Sequence, residues 1–179
     1  VLDYWKKFKK ITIAVSIDAI GEKAAYIRSG LKWNKFLENI ELIKEQCPHI
    51  KLQIAPTVSN LSILSLCDLH QFFVENSLIK MNDIYLNILD RPNYYNCKNS
   101  PKSVKEKSKE NLIAHIDWLN ENNASQVVIK EFEAVIEYMM TPASATDLKE
   151  FAKQTEKLDV IRGEDFKSIF PEFVHLSKT

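Results

Sequence analysis

Three short apolar stretches constrain the fold of this chain more than any other feature. They cover residues 11–17, 50–58 and 84–89, and each begins more than thirty residues after the one before. Each stretch is rich in isoleucine and valine and has the length of a strand, and each gap has room for one helix. Two consecutive βαβ units follow from this spacing. Because such crossovers are right-handed, the three strands are predicted to be parallel.

The segments between the apolar stretches carry helical patterns. After the first stretch we expect a loop of small residues that ends near Arg28. A helix follows, predicted from the spacing of Trp33, Phe36, Leu37, Ile40 and Ile43. The next helix is predicted to begin after Ser59 or Asn60, since either side chain can cap a first turn.

The character of the chain changes after the third stretch. Residues 1–97 are predicted to form a three-stranded βαβαβ unit, the α/β fold of an incomplete (β/α) barrel. Residues 98–179 are predicted to be a helical extension that packs on the sheet, so that both parts make one structural unit. Within this extension, Thr141 and Pro142 have the types expected at a helix start. A small parallel sheet leaves unpaired strand edges, which predicts self-association.

Charge and cysteine content exclude several functional classes. The 24 basic and 24 acidic residues cancel, so no overall field attracts nucleic acid. No apolar stretch has the roughly 20 residues needed to cross a membrane. Cys47, Cys67 and Cys97 lack the spacing of a zinc site or a disulfide framework, which predicts reduced thiols and a cytoplasmic location.

The chain begins with Val1 in what looks like the end of a helix, so we expect a missing upstream segment.

Several common catalytic motifs are missing from the sequence. The three glycines cannot form a dinucleotide-binding or a P-loop motif. The four histidines lack the spacing of a zinc protease, and no serine lies in a nucleophile elbow. His115 lies beside an apolar helix face and is predicted to be a hydrogen-bonded structural residue rather than a ligand. Cys67 is predicted to be an inert buried thiol.

What remains is a set of polar residues near the ends of the three predicted strands. The set consists of Ser16, Asp18, Arg28, Thr57, Ser59 and Asn87. Because ligands of α/β proteins gather at the carboxyl ends of the strands, these residues are the candidate site. Hydroxyls, amides and a carboxylate suit the binding of ribose and amino-acid groups. The alternative is that they cap turns and helices, with Arg28 paired to a surface acid.

Three segments in order carry a family resemblance. They are Val15-Ser16-Ile17-Asp18-Ala19-Ile20-Gly21-Glu22, Tyr26-Ile27-Arg28-Ser29-Gly30, and Trp33-Asn34-Lys35-Phe36 with Asn39-Ile40. Further matching segments are Thr57-Val58-Ser59-Asn60, Pro92 with Tyr94, Asp159, Arg162-Gly163 and Phe170-Pro171-Glu172-Phe173. Together they resemble radical S-adenosylmethionine (radical SAM) proteins of the type with a small twitch domain, over nearly the whole chain.

The resemblance implies a cofactor and roles for the candidate residues. Ser16 and Asp18 would contact the ribose or amino-acid part of S-adenosylmethionine, and Arg28 its carboxylate. Thr57, Ser59 and Asn87 would belong to the cofactor or substrate wall. In that family a [4Fe–4S] cluster reduces S-adenosylmethionine to a 5′-deoxyadenosyl radical, which abstracts a hydrogen atom from the substrate.

One departure from the family pattern changes the functional expectation. The CxxxCxxC loop that holds the cluster is not in this sequence, and the three cysteines present are too far apart to replace it. We therefore expect the C-terminal half of such an oxidoreductase, inactive by itself, with neither cofactor bound to this chain. The alternative is a stand-alone, non-catalytic α/β binding or interaction module.

Overall fold

The computed structural model describes residues 1–173 and shows a mixed α/β fold, about 59% helical. Strands β1 (Ile11–Val15) and β2 (Ile50–Ile54) form one parallel sheet, in which Ile11 lies opposite Ile50 and Val15 opposite Ile54. Strands β3 (Thr57–Val58) and β4 (Asn87–Ile88) form a second parallel sheet. An isolated parallel bridge between Ile54 and Ile84 lies between the two sheets.

The predicted barrel-like unit of three continuous strands is therefore corrected. The described residues form two small sheets and no barrel. The second apolar stretch is divided at Ala55 and Pro56, since proline has no N–H to donate to a ladder. Ladder-like bonds still cross the break, because Ala55 N donates to Val15 O and Asn87 N donates to Pro56 O, at 2.9 and 3.0 Å. The strand directions are parallel, as the spacing predicted.

Eight α-helices and three short 3₁₀ helices (Ile63–Ser65, Asn93–Tyr95 and Cys97–Asn99) occur in the described part of the chain. The α-helices are labelled in chain order. They are α1 (Leu2–Trp5), α2 (Gly21–Ile27), α3 (Trp33–Gln46), α4 (Leu66–Glu75), α5 (Lys102–Glu121), α6 (Gln126–Met139), α7 (Ala145–Arg162) and α8 (Phe166–Ile169). None of them is long and apolar enough to cross a membrane. The C-terminal extension is helical as far as it is described; its last residues, 174–179, lie outside the described range.

Three local predictions about helices were wrong. The expected loop of small residues contains α2, which begins at Gly21 with a positive φ of 58°. Helix α4 begins after Ser65, because turns and the 3₁₀ helix Ile63–Ser65 separate it from Ser59, whose hydroxyl accepts from Leu61 N at the start of these turns. Helix α7 begins after Ser144, and the Thr141 hydroxyl donates to Tyr138 O at the end of α6.

The hydrophobic core lies on one face of the strands. Along β1, Ile13 and Val15 pack against the core, whereas Thr12 and Ala14 between them are exposed. This alternation is that of a strand buried on one face only. The same core extends into α5, α6 and α7 through fully buried side chains, among them Leu112, Phe132 and Phe151.

Two buried histidines join three of these helices. Nδ1 of His70 in α4 lies 3.0 Å from Nε2 of His115 in α5. Both imidazole rings also pack against the ring of Phe132 in α6. His70 Nε2 lies 3.0 Å from Met81 O, which can only accept, so His70 Nε2 is the donor. His115 Nε2 must then donate to His70 Nδ1. His115 Nδ1 is left as a buried acceptor without a partner among the described residues.

Burial controls the ionisation of this pair. It lowers the pKa of His70 to about 4 and that of His115 to about 3, with the charge of the neighbouring ring also lowering the second value. No other charged group contributes among the residues that the structure describes. The structure therefore confirms His115 as a hydrogen-bonded structural residue, and both rings are neutral at neutral pH.

Acid should destabilise the fold through this pair. The folded pKa values lie below the ordinary value of 6.5, so stability is complete above about pH 6.5 and is lost as the pH falls toward the folded values. We expect the free energy of unfolding to fall by about 2 to 4 kcal/mol between about pH 7.5 and about pH 5. Urea denaturation at each pH measures it.

Two variants separate this effect from general acid titration. His115→Phe keeps an aromatic ring in the core and should flatten the pH dependence, although it lowers stability at neutral pH. His49→Gln changes an exposed histidine and should leave the dependence unchanged. Equal pH slopes for wild type and His115→Phe would contradict the prediction.

Candidate functional site

A buried carboxylate marks the carboxyl end of β1. Asp18 is 3% exposed and lies three residues after the strand. Its Oδ1 accepts a hydrogen bond of 2.7 Å from Thr57 N, the first residue of β3. Two residues earlier, Ala55 N donates to Val15 O, the last carbonyl of β1. At Thr57 the acceptor is therefore the Asp18 side chain instead of a backbone carbonyl of β1. Asp18 thereby joins the end of one strand to the start of another.

The second oxygen of Asp18 is paired with Arg28. Arg28 follows α2, and its Nε lies 2.8 Å from Asp18 Oδ2. The N–H is not aimed at the oxygen, so the contact is an ion pair rather than a hydrogen bond. The arginine side chain is 36% exposed and the aspartate side chain 5%. Both carboxylate oxygens are thus engaged with the protein, and the guanidinium is held at a wall that solvent can reach.

Four of the six predicted site residues line one cleft at this position. They are Asp18, Arg28, Thr57 and Ser59, around a volume of about 340 Å³. This size lies at the lower end of the range for small-molecule sites. The Ser59 hydroxyl lies 3.3 Å from that of Ser62, which itself donates to Thr57 O at 2.7 Å. The hydroxyl network therefore also shapes the loop after β3.

The two remaining candidates lie apart from this cleft. Ser16 and Asn87 are both exposed, and neither lines it. Asn87 is in β4, where its backbone N–H donates to Pro56 O. As Ser16 continues the alternation of Thr12 and Ala14, it belongs to the exposed face of the first sheet. The structure thus brings together four of the candidates and places two outside.

Sequence reasoning missed the far wall of the cleft, which combines residues of α2, of the segment after β4 and of α7. Tyr26, Tyr95, Leu158 and Arg162 line it together with the predicted residues. Tyr26 OH donates to Asp159 Oδ1 at 2.9 Å. Burial, followed by this bond, raises the pKa of Tyr26 above its usual value. Burial also raises the pKa of Tyr95, whereas the nearby Arg162 charge opposes that shift. No local sequence signal connects Arg162 with Arg28, because the contact is tertiary.

A second, larger cleft lies at the opposite end of the sheet. It has a volume of about 800 Å³ and is lined by Lys44, Lys51 and Lys80 among others. Lys51 is already paired with Asp83 at 2.7 Å, and Lys44 donates to Ser77 O at 2.8 Å. This cleft surrounds the N-terminal part of β2, whereas ligands of parallel α/β units bind beyond the carboxyl ends of strands. The smaller cleft is therefore the candidate site.

The cysteines do not fit an iron–sulfur cluster. Cys47, Cys67 and Cys97 are all buried and free. Burial raises the pKa of Cys67 to about 12 and that of Cys97 to about 11, so these thiols stay protonated and are not ready thiolate ligands. Within residues 1–173, no three histidine, cysteine or carboxylate side chains gather as metal ligands. The burial of Cys67 agrees with its prediction as an inert thiol.

The Asp18 contacts predict an ordered series of stability losses. Asp18→Asn keeps an acceptor for Thr57 N but removes the charge that pairs with Arg28, which should cost about 1 to 2 kcal/mol, discounted because Arg28 is partly solvated. Asp18→Ala also leaves Thr57 N without its acceptor and should cost about 2 to 4 kcal/mol. Urea denaturation measures both losses.

The matched control is an exposed pair of the same two residue types. Asp90 lies 3.8 Å from Arg91, and both side chains are more than four-fifths exposed. Asp90→Asn should therefore change stability by less than about 0.5 kcal/mol. If Asp18→Ala proved no more harmful than Asp90→Asn, the bridging role of Asp18 would be refuted.

The chemistry present is a buried carboxylate, two guanidiniums and two tyrosines around a cleft at a strand end. Comparison with models of protein families, with curated proteins and with solved structures gave no match.

Proposed function

We propose that this chain is the C-terminal half of a twitch-type radical SAM oxidoreductase, and that its strand-end cleft holds part of S-adenosylmethionine. One observation carries the proposal: Asp18, Arg28, Thr57 and Ser59 meet around one cleft at the carboxyl ends of parallel strands. These are four of the residues that the family resemblance assigns to the cofactor and substrate walls. In this proposal β1, the divided stretch of β2 and β3, and β4 correspond to consecutive strands of a partial barrel, with the exposed face of β1 toward its interior.

The donor set of the cleft fits the amino-acid part of the cofactor. The Arg28 guanidinium is suited to a carboxylate, and the Thr57 and Ser59 hydroxyls can bond to a ribose. Both oxygens of Asp18 are engaged, one by Thr57 N and the other by Arg28. Its role is therefore to orient the arginine, and it does not contact the ligand directly. Ser16 and Asn87 remain candidates for ligand parts that extend over the exposed face of the sheets.

A [4Fe–4S] cluster does not fit the described residues of this chain. The three cysteines are buried, and no ligand group forms among residues 1–173. In this proposal the chain is inactive alone and contributes only the wall that binds S-adenosylmethionine. The free thiols support a cytoplasmic location. The alternative is a non-catalytic α/β binding module, which would share the cleft but not the ligand.

Binding of S-adenosylmethionine by the complete chain tests the proposal. We expect a saturable signal by isothermal titration calorimetry. Arg28→Gln removes the carboxylate contact and should weaken binding by about tenfold or more. Asp18→Asn should weaken it less, because the arginine is present but no longer held.

Arg91→Gln is the matched control, since Arg91 is exposed and lies outside the cleft. It should bind as wild type does. A wild-type chain that shows no binding, or an Arg28→Gln variant that binds equally well, would overturn the ligand assignment and favour the binding module.

We also propose self-association through the outer edge of β1. Within the described residues β1 pairs only with β2, so its other edge offers free backbone donors and acceptors. The strand contains no charge or proline that would block a second strand. No contact with nucleic acid or membrane is part of the proposal.

Sedimentation velocity over a range of protein concentrations tests this association. Wild type should show a concentration-dependent dimer, and Ala14→Lys should be monomeric because it places a charge on the exposed face of the edge strand. Val127→Lys removes an exposed apolar side chain elsewhere and should behave as wild type. A strictly monomeric wild type at high concentration would contradict the proposal.

A further inference from the structure

Two arginines from distant parts of the chain line the same cleft. The sequence contains only three arginines, and two of them, Arg28 after α2 and Arg162 at the end of α7, are cleft residues. The third, Arg91, is in an exposed pair elsewhere. Because guanidinium groups recognise planar oxyanions through paired N–H donors, this concentration of arginine indicates the chemistry of a ligand.

Contacts between α2 and α7 hold the second arginine in place. Arg162 Nη1 donates to Tyr26 O at 3.3 Å, two residues before Arg28. Tyr26 OH donates to Asp159 Oδ1 at 2.9 Å, and Asp159 Oδ2 accepts from Phe166 N at the same distance. The Tyr26 ring also packs against Phe166 and Phe170, with centroids 5.8 and 5.4 Å away. The position of Arg162 is therefore set by packing and by hydrogen bonds on both sides.

The polar groups of the cleft have more donors than acceptors. Each guanidinium has five N–H donors and no acceptor. Arg28 is held by the ion pair of its Nε with Asp18, and Arg162 donates from Nη1 to Tyr26 O and forms an ion pair with Glu164 Oε2 at 3.6 Å. Within residues 1–173, the other guanidinium nitrogens of these two arginines form no hydrogen bond to protein. Asp18 has both oxygens engaged, and Glu164, the other carboxylate beside these arginines, does not line the cleft, so a ligand oxyanion can supply acceptors to the remaining guanidinium donors.

We infer that the cleft binds its ligand through an oxyanion held between the guanidinium groups of Arg28 and Arg162. Arg162 is then a binding residue that the C-terminal helix α7 brings to the strand end. The inference deepens the proposed function and rests on it for the location of the ligand. A carboxylate and a phosphate share the required chemistry. The carboxylate of S-adenosylmethionine is the source that agrees with the proposed function.

Two nucleosides that differ in the carboxylate test this role. The complete chain is titrated with S-adenosylmethionine and with 5′-methylthioadenosine, which keeps the nucleoside but has no carboxylate. Arg162→Gln should weaken binding of S-adenosylmethionine by about 10- to 100-fold and leave that of 5′-methylthioadenosine within about twofold. Arg162→Lys keeps a charge without the planar fork and should lie between wild type and Arg162→Gln. Arg91→Gln should match wild type for both nucleosides.

The remaining outcomes decide between structural and binding roles. Equal weakening of both nucleosides in Arg162→Gln would show that Arg162 only supports the fold, and would overturn the inference. If wild type bound neither nucleoside, the proposed function would fail. Inorganic phosphate would then serve as the probe. Phosphate binding that is lost in both Arg28→Gln and Arg162→Gln would still support the oxyanion site, whereas no phosphate binding would overturn it. Circular dichroism establishes that each variant is folded.

Discussion

The Asp18 carboxylate is the contact on which the candidate site depends. One oxygen holds the backbone of Thr57, and the other holds the charge of Arg28. A single buried side chain thus fixes the end of β1, the start of β3 and the residue after α2. Burial at this position is tolerated because a hydrogen bond and an opposite charge replace water around the carboxylate. These two contacts of Asp18 therefore set the positions of Thr57 and Arg28 in the cleft.

Local sequence patterns correctly predicted those strands and helices in which core-facing apolar residues recur at regular spacing along the chain. The three apolar stretches each contain pairing residues, and the spacing of Trp33 and Phe36 correctly placed α3. The interruption at Pro56 could be anticipated from the missing N–H, but the replacement of a ladder acceptor by the Asp18 side chain could not. Helix starts were the least predictable, since the Thr141 hydroxyl donates back to α6 and a 3₁₀ helix separates Ser59 from α4.

The candidate site was predictable only where its residues follow strands. Asp18, Thr57 and Ser59 could be grouped because parallel strands bring their carboxyl ends to one edge. Tyr26 and Arg162 could not, because their meeting depends on how α7 packs against α2. The alternation of exposed and buried residues along β1 could have predicted that Ser16 is exposed and Ile17 buried. It does not predict which residue after the strand lines the cleft. That distinction needs the path of the chain beyond the strand.

The contact between Tyr26 and Arg162 joins residues that are 136 positions apart in sequence. Closing so long a loop costs conformational entropy, so the far wall of the cleft exists only when α7 is packed against α2. A chain that stops before α7 would retain every candidate residue predicted from the strand ends and still have an incomplete site. A ligand that bridges both walls would bind only the finished fold and would stabilise it by mass action. Occupancy of the cleft would then report that synthesis and folding of the chain are complete through α7.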